Sequence, residues 1–395
     1  MRLDDFTVQV LGGAHGAALQ RQARLLTRLG EIYGATDMAP VGSVQVAGVS
    51  FKSLGDPGLE FLEDLASSGV TVRVPTFLNP AGMDLEQWRE MGVPESFAVK
   101  QRRVLDAYRA LGISPTATCT PYLAGVLPRF REHLAWSESS AVSFANSVLG
   151  ARTNREGGPS ALAAALLGAT PRHGLHLDDN RRPTVRVRVT CALQNESCFG
   201  ALGWWVGRQV KDGIPLFDGV TGATTDDLKL LGAAMAASGA VALYHARGLT
   251  PEAESLDGSG LPVASFGDEE MAATRQALDS GARPDLVVIG CPHASIREVA
   301  RVADLVRGRT LKRPLWVCTA RVTKDLASFL GHVKTIEVAG GRVVADTCMV
   351  VSPLEESGHH VTGVNSGKAA CYLPGFCRQQ VVFRDVVGLV EEALR

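Results

Sequence analysis

Residues 285–306, DLVVIGCPHASIREVARVADLV, decide the fold class of this chain. Residues 286–289 are all apolar, as in parallel strands that are buried on both faces. From Ser295 to Val306 the apolar residues recur at helical spacing, which predicts a helix. A buried strand that leads directly into a helix is typical of a parallel sheet covered by helices.

The same alternation of strand and helix patterns extends through the chain. Apolar spacing predicts helices at 15–33, 59–66, 96–111, 226–238, 271–278, 295–306 and 322–330. Strands are predicted at 70–74, 116–119, 184–190, 241–244, 285–289, 315–317 and 342–345. Segment 184–190 alternates Val with Arg, so we expect a half-exposed strand at a sheet edge. The predicted fold is α/β, with ligands beyond the carboxyl ends of the strands.

Composition narrows the class of protein. The 395 residues suggest about two to three domains or one large unit, and 46% hydrophobic with 21% charged residues excludes a disordered protein or a coiled-coil rod. The formal net charge of −1 argues against general binding of nucleic acid. No secretory signal is evident at the N-terminus, and the longest uncharged stretch, 230–246, is short for a membrane span. We therefore expect a cytoplasmic protein that binds neither nucleic acid nor a membrane.

Four of the eight cysteines stand at or just after the ends of predicted strands: Cys119, Cys291, Cys318 and Cys348. Carboxyl ends of parallel strands meet at one edge of a sheet, so these thiols can converge, and thiolates bind soft metals and iron–sulfur clusters. No pair has the close C-x-x-C spacing of a zinc ribbon. Because a free cysteine often simply packs in a core, the residues alone leave a dispersed three-cysteine cluster and plain packing both open.

Polar segments suggest where a substrate binds. Glu138 stands among the hydroxyls of 136–140, and the loop 152–158 carries Arg152 and Arg155 beside paired glycines. Segment 363–368 is one residue short of a phosphate loop and lacks the hydroxyl that binds magnesium. That difference excludes a nucleoside triphosphatase. Lys368 at the start of a helix is either a contact for a carboxylate or phosphate or a solvated lysine, and the residues alone leave both open.

Six longer motifs are far more specific than these isolated signals. They are LNPAGMD (78–84), TCTPY (118–122), AWSESSAV (135–142), FANSVLGARTNREGG (144–158), GCPH (290–293) and DTC (346–348). In this order they resemble the catalytic large subunit of the aconitase X family, and the resemblance runs from about residue 12 to about residue 372. It implies one catalytic domain over residues 1–395, built of α/β lobes as an aconitase-like body without the swivelling domain.

The resemblance also implies a chemistry and a set of site residues. The activity would be that of a hydro-lyase with an iron–sulfur cluster, [4Fe-4S] or alternatively [2Fe-2S]. The implied cluster ligands are Cys119, Cys291 and Cys348, which leaves Cys318 as a bystander. The implied substrate contacts are Gly48, Val49, Ser50, Asn79, Pro80, Glu138, Ser139 and Lys368. The last three of these are also the implied catalytic residues.

The family further implies a partner and two candidate substrates. A small swivelling-domain subunit, in a heterodimer or larger complex, would supply a serine as the base, so we expect this chain alone to be inactive or nearly so. One branch dehydrates (R)-5-phosphomevalonate to trans-anhydromevalonate 5-phosphate in a modified mevalonate pathway, and another dehydrates cis-3-hydroxy-L-proline. Segments 79–84 and 153–158 look more like the first branch. A mononuclear metal enzyme using the same cysteines and a non-catalytic α/β scaffold remain the alternatives.

Overall fold

The computed structural model describes all residues from 1 to 395. Helices cover largely parallel sheets in three successive lobes of the chain. The predicted α/β class is therefore confirmed. None of the helices combines the length and the apolar composition that crossing a bilayer requires.

The first lobe contains a three-stranded parallel sheet and a two-stranded antiparallel one. Its strands are β1 (Met38–Pro40), β2 (Val44–Val46), β3 (Thr76–Leu78), β4 (Ala135–Trp136) and β5 (Ala169–Pro171). Its helices are α1 (Asp5–Leu11), α2 (Ala17–Ile32), α3 (Phe51–Ser67), α4 (Glu95–Ala110), α5 (Ser139–Ser147) and α6 (Gly158–Leu167). The parallel sheet has the order β3-β2-β4, and β1 pairs with β5. Apolar faces of the helices pack around the short central strand β2, whose three residues are all buried.

The second lobe is a four-stranded parallel sheet with the order β8-β7-β6-β9. Its strands are β6 (Val185–Val189), β7 (Pro215–Asp218), β8 (His245–Ala246) and β9 (Val263–Phe266). Its helices are α7 (Glu196–Val210), α8 (Thr225–Gly239) and α9 (Asp268–Leu278). Glycines of α7 leave no room for a side chain against α8, because a Cβ on Gly203 would lie 2.4 Å from the carbonyl oxygen of Leu231.

The third lobe is a five-stranded parallel sheet with the order β12-β11-β10-β13-β14. Its strands are β10 (Leu286–Ala294), β11 (Leu315–Thr319), β12 (Arg342–Ala345), β13 (Val361–Val364) and β14 (Gln380–Phe383). Its helices are α10 (Ile296–Val306), α11 (Arg321–Phe329), α12 (His332–Val338), α13 (Gly367–Cys377) and α14 (Val386–Leu394). Every residue of β10 is buried, as the apolar run 286–289 predicts for the central strand.

Two predicted strands of the first lobe are wrong. Residues 70–74 are pinned between helices instead of pairing with a strand, since the N–H of Val72 donates to Leu111 and that of Arg73 donates to Ala165. Segment 116–119 is not a strand because Ala117 has φ of +43°, which breaks the extended backbone. Only an isolated bridge between Phe77 and Ser114 extends the sheet there.

Two further strand predictions need correction in the second lobe. Strand β6 does not lie at an edge, because β7 and β9 flank it. Its outward-facing Arg186 donates to the carboxylate of Asp218 on β7, at 2.7 Å, so the charged face is paired across the sheet. Strand β8 begins only at His245, since the N–H of Tyr244 donates to the Ser147 hydroxyl instead of joining a ladder.

The first and third lobes are joined through a buried carboxylate. Asp84 is fully buried, accepts the N–H of Ala345 at 2.9 Å, and pairs with Arg321 and Lys324 of α11. The carbonyl oxygen of Asp346 in turn accepts the N–H of Ala81 at 2.8 Å. These bonds hold the loop that follows β3 against the loop that follows β12.

Candidate active site

The three parallel strands of the first lobe end at one edge of their sheet. Strand β2 pairs in parallel with both β3 and β4, so the segments 47–50, 79–80 and 137–139 leave the sheet side by side. Residues from all three segments line a cavity of about 420 Å³. The opposite wall belongs to the third lobe, and no residue of the second lobe lines it.

The wall of the third lobe is also built at strand ends. Cys291 lies within β10, Cys348 follows β12, and Lys368 is the second residue of α13, just after β13. All three side chains line the cavity together with Cys119 of the first lobe. The carboxyl edges of two sheets therefore face each other across one cavity.

The three cysteine side chains on this cavity are almost completely buried. Cys119, Cys291 and Cys348 are 5%, 4% and 7% exposed. Burial raises the pKa of the Cys119 thiol to about 12, against the opposing effect of the nearby Lys368 ammonium, and it also raises the pKa of the other two thiols. Such thiols ionise only when a strongly positive group is bound beside them.

A backbone amide points at one of these sulfur atoms, since the N–H of His293 donates to Sγ of Cys119 at 3.2 Å. The backbone amides of Val350 and Val351 partly offset the effect of burial on the pKa of the Cys348 thiol. Hydrogen bonds to sulfur stabilise the thiolate form and tune iron–sulfur clusters. Cys318, by contrast, is fully buried at the end of β11 and does not line the cavity.

His293 ties two of the cysteine loops together. Its Nε2 donates to the carbonyl oxygen of Thr347 at 2.9 Å, and its Nδ1 lies 2.9 Å from the hydroxyl of Thr118. Since a carbonyl can only accept, Nδ1 of the neutral ring accepts the threonine proton. Burial lowers the pKa of His293 to about 4, which keeps the ring neutral. The sequence gives no metal-ligand spacing for this histidine, and its position between the cysteine loops is visible only in three dimensions.

Glu138 and Lys368 form an ion pair at the centre of the cavity. Glu138 caps the N-terminus of α5 after β4, and its Oε1 accepts a hydrogen bond from Nζ of Lys368. Burial works to raise the pKa of Glu138, but Lys368 and several hydrogen bonds outweigh burial and hold that pKa at about 2. Burial likewise opposes the charge of Lys368, and Glu138 nevertheless raises its pKa above the ordinary value. Both side chains are therefore charged at neutral pH.

Neighbouring polar groups orient the carboxylate of Glu138. Nδ2 of Asn79 donates to Oε2 at 2.7 Å, and the hydroxyls of Ser140 and Ser139 lie 3.0 and 3.4 Å from Oε1. Asn79 uses only its amide nitrogen, because its buried Oδ1 has no hydrogen-bond partner. An orphaned acceptor beside a charged pair is a site for a donor group of a bound ligand.

Four consecutive backbone amides also lack acceptors. The N–H groups of residues 47–50, which link β2 to α3, donate to no acceptor of the chain. Gly48 has φ of +79° at this turn, a conformation that glycine adopts without strain. Successive free amides before a helix N-terminus bind anions such as carboxylate or phosphate.

The structure brings most of the predicted site residues to this cavity. Those that line it are Gly48, Ser50, Asn79, Pro80, Cys119, Glu138, Ser139, Cys291, Cys348 and Lys368. The side chain of Val49 is buried away from the cavity, so only its backbone N–H can serve a ligand. Arg152 is held elsewhere by Asp178 and Glu252, whereas Arg155 lines the cavity and forms no ion pair.

Several lining residues have no place in the sequence prediction, among them Tyr372, Phe376 and Lys52. Tyr372 and Phe376 follow Lys368 at intervals of four residues on α13, and this helical spacing could have identified them. Lys52, at the start of α3, donates to Glu355 at 2.6 Å. Nothing in its sequence surroundings distinguishes Lys52 from an ordinary surface lysine.

The donor set fits an iron–sulfur cluster. Three buried thiols, one of which accepts a backbone N–H, are the ligand type that such clusters take. No three His, Cys, Asp or Glu side chains converge closely enough to hold one metal ion.

Comparison with protein families matches nearly the whole chain. Residues 1–179 match the model described as aconitase X first domain, 183–276 match aconitase X second domain, and 284–395 match aconitase X third domain. The three ranges correspond to the three lobes. A crystal structure of Thermococcus kodakaraensis aconitase X in its holo-form superposes with a TM-score of 0.94 at 44% identity, over 100% of both chains.

Curated relatives of two kinds are similar to the chain. The phosphomevalonate dehydratase large subunit of Methanocaldococcus jannaschii is 50% identical over 97% of this chain and 98% of its own length. That of Methanothermobacter thermautotrophicus is 49% identical over 98% of both. The cis-3-hydroxy-L-proline dehydratase of Pseudomonas aeruginosa is 36% identical over 100% of this chain but only 70% of its own length.

Proposed function

The chain belongs to the aconitase X family, and we propose that it is the large subunit of a hydro-lyase that dehydrates (R)-5-phosphomevalonate to trans-anhydromevalonate 5-phosphate. Membership of the family confirms the resemblance inferred from the sequence motifs. One observation carries the proposal: three thiols from two lobes line the same cavity as the Glu138–Lys368 ion pair. We further propose that the three lobes act as one catalytic domain over residues 1–395.

The family implies an iron–sulfur cluster, and we assign its ligands to Cys119, Cys291 and Cys348. We favour [4Fe-4S], because three protein thiols leave one of four irons free of a protein ligand. When bound, such an iron supplies a Lewis acid that weakens the bond between carbon and a departing hydroxyl. The N–H of His293 then stabilises negative charge on Sγ of Cys119.

The chain's own residues bind and orient the substrate. The reaction breaks a C–H bond next to the carboxylate and the C–O bond of the 3-hydroxyl, forms a carbon–carbon double bond, and releases water. The free amides of 47–50 and the ammonium of Lys368 suit the negative charge of the substrate. We assign the unpartnered Oδ1 of Asn79 to a hydroxyl of the substrate, which is the kind of donor it lacks.

The base for this reaction lies outside the ion pair. Lys368 keeps its proton, and Glu138 is ionised and engaged by five donors, so neither is free to take the poorly acidic proton next to the carboxylate. We propose that a serine of a small swivelling-domain subunit takes it. The names of the relatives include the words large subunit, which imply a small-subunit partner and so support this proposal. The cis-3-hydroxy-L-proline dehydratases are longer, since this chain spans 70% and 67% of their lengths.

The charge of the cavity favours the phosphorylated substrate. Glu138 neutralises Lys368 and Glu355 neutralises Lys52, so Arg155 is the one lining cation without an acidic partner. Phosphomevalonate carries a carboxylate and a phosphate of charge about −1.5 to −2 at neutral pH. Hydroxyproline is a zwitterion, and an arginine without an acidic partner does not attract its ammonium group.

Parallel assays of the complex test the proposal. The chain is co-expressed with the candidate small subunit, reconstituted anaerobically with iron and sulfide, and supplied with either (R)-5-phosphomevalonate or cis-3-hydroxy-L-proline. We expect water loss from phosphomevalonate only, and little turnover by the large subunit alone. Turnover of hydroxyproline only would assign the chain to the other branch, and no turnover of either by an iron-loaded complex would reject the dehydratase.

A further inference from the structure

Gln101 is a buried polar residue that lies outside the cavity. It lies in the middle of α4, its side chain is fully buried, and it does not line the cavity. A buried amide stabilises a fold only when its donor and acceptor atoms are satisfied. The hydrogen-bond partners of the Gln101 side chain therefore show which segments of the chain it positions.

All partners of the Gln101 side chain are backbone atoms of substrate-binding loops. Its Nε2 donates to the carbonyl oxygen of Val49 at 3.0 Å. Its Oε1 accepts the N–H of Phe51 and the N–H of Gly82, each at 2.9 Å. Only one orientation of the amide satisfies these three bonds, because Val49 offers an acceptor and the other two residues offer donors.

These bonds place one side chain behind two loops that reach the cavity. Val49 and Phe51 flank Ser50, in the segment whose amides 47–50 are free, and Gly82 follows Asn79 and Pro80. The two loops are in close contact, since a Cβ on Gly82 would lie 2.6 Å from Oγ of Ser50. Gln101 thus determines how the free amides and Asn79 lie relative to each other.

We propose that Gln101 is a positioning residue for substrate binding, which acts by fixing the amides of 47–50 against the loop of Asn79. This inference rests on the proposed function, because it assigns those two loops to the substrate. Gln101 touches neither the substrate nor the cysteines, so its loss affects affinity for the anionic substrate more than cluster content.

The test compares Gln101→Met with Gln379→Met in the co-expressed, iron-loaded complex. Gln379 is also buried and makes three hydrogen bonds, to Thr362, His359 and Cys377, none of which lines the cavity. Methionine has a similar length and removes the amide in both variants. We measure KM and kcat for (R)-5-phosphomevalonate, iron and sulfide per chain, and the melting temperature.

We expect Gln101→Met to raise KM by about tenfold or more, with a much smaller change in kcat and full iron content. Gln379→Met should lower the melting temperature by a similar amount and leave KM unchanged. Equal KM values for Gln101→Met and the wild-type complex would overturn the inference, as would equal increases in KM for both variants. Failure of the proposed function can be told apart from failure of this inference, because the wild-type complex would then not turn over phosphomevalonate at all.

Discussion

Nζ of Lys368 donates a hydrogen bond to Oε1 of Glu138, although 230 positions separate the two residues in the chain. Lys368 is the second residue of α13 in the third lobe, and Glu138 caps the N-terminus of α5 in the first lobe. Each partner would be a buried, uncompensated charge without the other. The site therefore exists only while the two lobes are packed together.

Replacing Glu138 by glutamine removes this charge with little change in shape. We expect kcat/KM of the complex to fall by about a hundredfold or more, because Lys368 loses the partner that fixes its ammonium in the cavity. Iron content should be unchanged. Glu63→Gln is the control, since Glu63 forms an exposed ion pair with Arg103. An active Glu138→Gln complex would show that the pair is structural only.

The pair also predicts a pH dependence. The pKa of Glu138 lies at about 2, below its ordinary value of 4.5, so its stabilisation is complete above about pH 4.5 and is lost as the pH falls towards 2. The pKa of Lys368 is raised above 10.5, so its contribution is complete below that pH and is lost only at higher pH. The difference in unfolding free energy between the wild type and Glu138→Gln, measured with urea, should therefore shrink as the pH falls from about 4.5 towards 2. A difference that stays unchanged down to about pH 2 would contradict the assigned charge state of Glu138.

Local sequence patterns and family motifs predicted different parts of the fold and of the site. The apolar run at 286–289 predicted the buried strand β10. The strand-end cysteines were expected at one edge of a single sheet, but Cys119 lies in a loop of the first lobe and faces Cys291 and Cys348 of the third across the cavity. Spacing could not choose among four such cysteines, because Cys318 differs from the others only in where its strand lies. The family motifs predicted that choice. Local patterns failed at 70–74 and 116–119, where bonds to helices and a positive φ at Ala117 override β propensity.

Local sequence patterns also could not predict the contacts between residues that are distant in the sequence. Gln101 and His293 act on loops that are distant in sequence, and neither stands in a spacing that indicates its partners. Asp84 belongs to a family motif, yet its function as a link between lobes follows only from its bonds to Ala345 and α11.

Arg155 should contribute to recognition of the phosphate. Because it is the cavity cation without an acidic partner, Arg155→Ala is expected to raise KM for (R)-5-phosphomevalonate by about ten- to a hundredfold. Arg208→Ala is the matched control, since Arg208 is also exposed and lies on the ring of Trp204, away from the cavity. Steady-state kinetics of the two complexes measure the effect. An unchanged KM for Arg155→Ala would place the phosphate elsewhere.

Asp84 should matter for stability more than any exposed ion pair. Asp84→Ala leaves the Ala345 amide without its acceptor and takes a carboxylate away from Arg321 and Lys324. We expect a loss of about 3–5 kcal/mol in the free energy of unfolding, measured by urea denaturation. Asp106→Ala breaks an exposed pair with Arg109 and should lose about 1 kcal/mol or less. Similar losses for the two variants would mean that the lobes do not depend on Asp84.

Iron and sulfide content of single cysteine variants tests most directly whether thiols from two lobes hold the cluster. Cys119→Ser, Cys291→Ser, Cys348→Ser and the control Cys318→Ser are reconstituted anaerobically in the co-expressed complex. The first three remove thiols that line the cavity, and the control removes an equally buried thiol that does not. We predict that Cys318→Ser keeps the iron and sulfide of the wild type and that each of the other three loses most of it. Full iron and sulfide in all three cavity variants, or a loss in Cys318→Ser alone, would contradict the assignment.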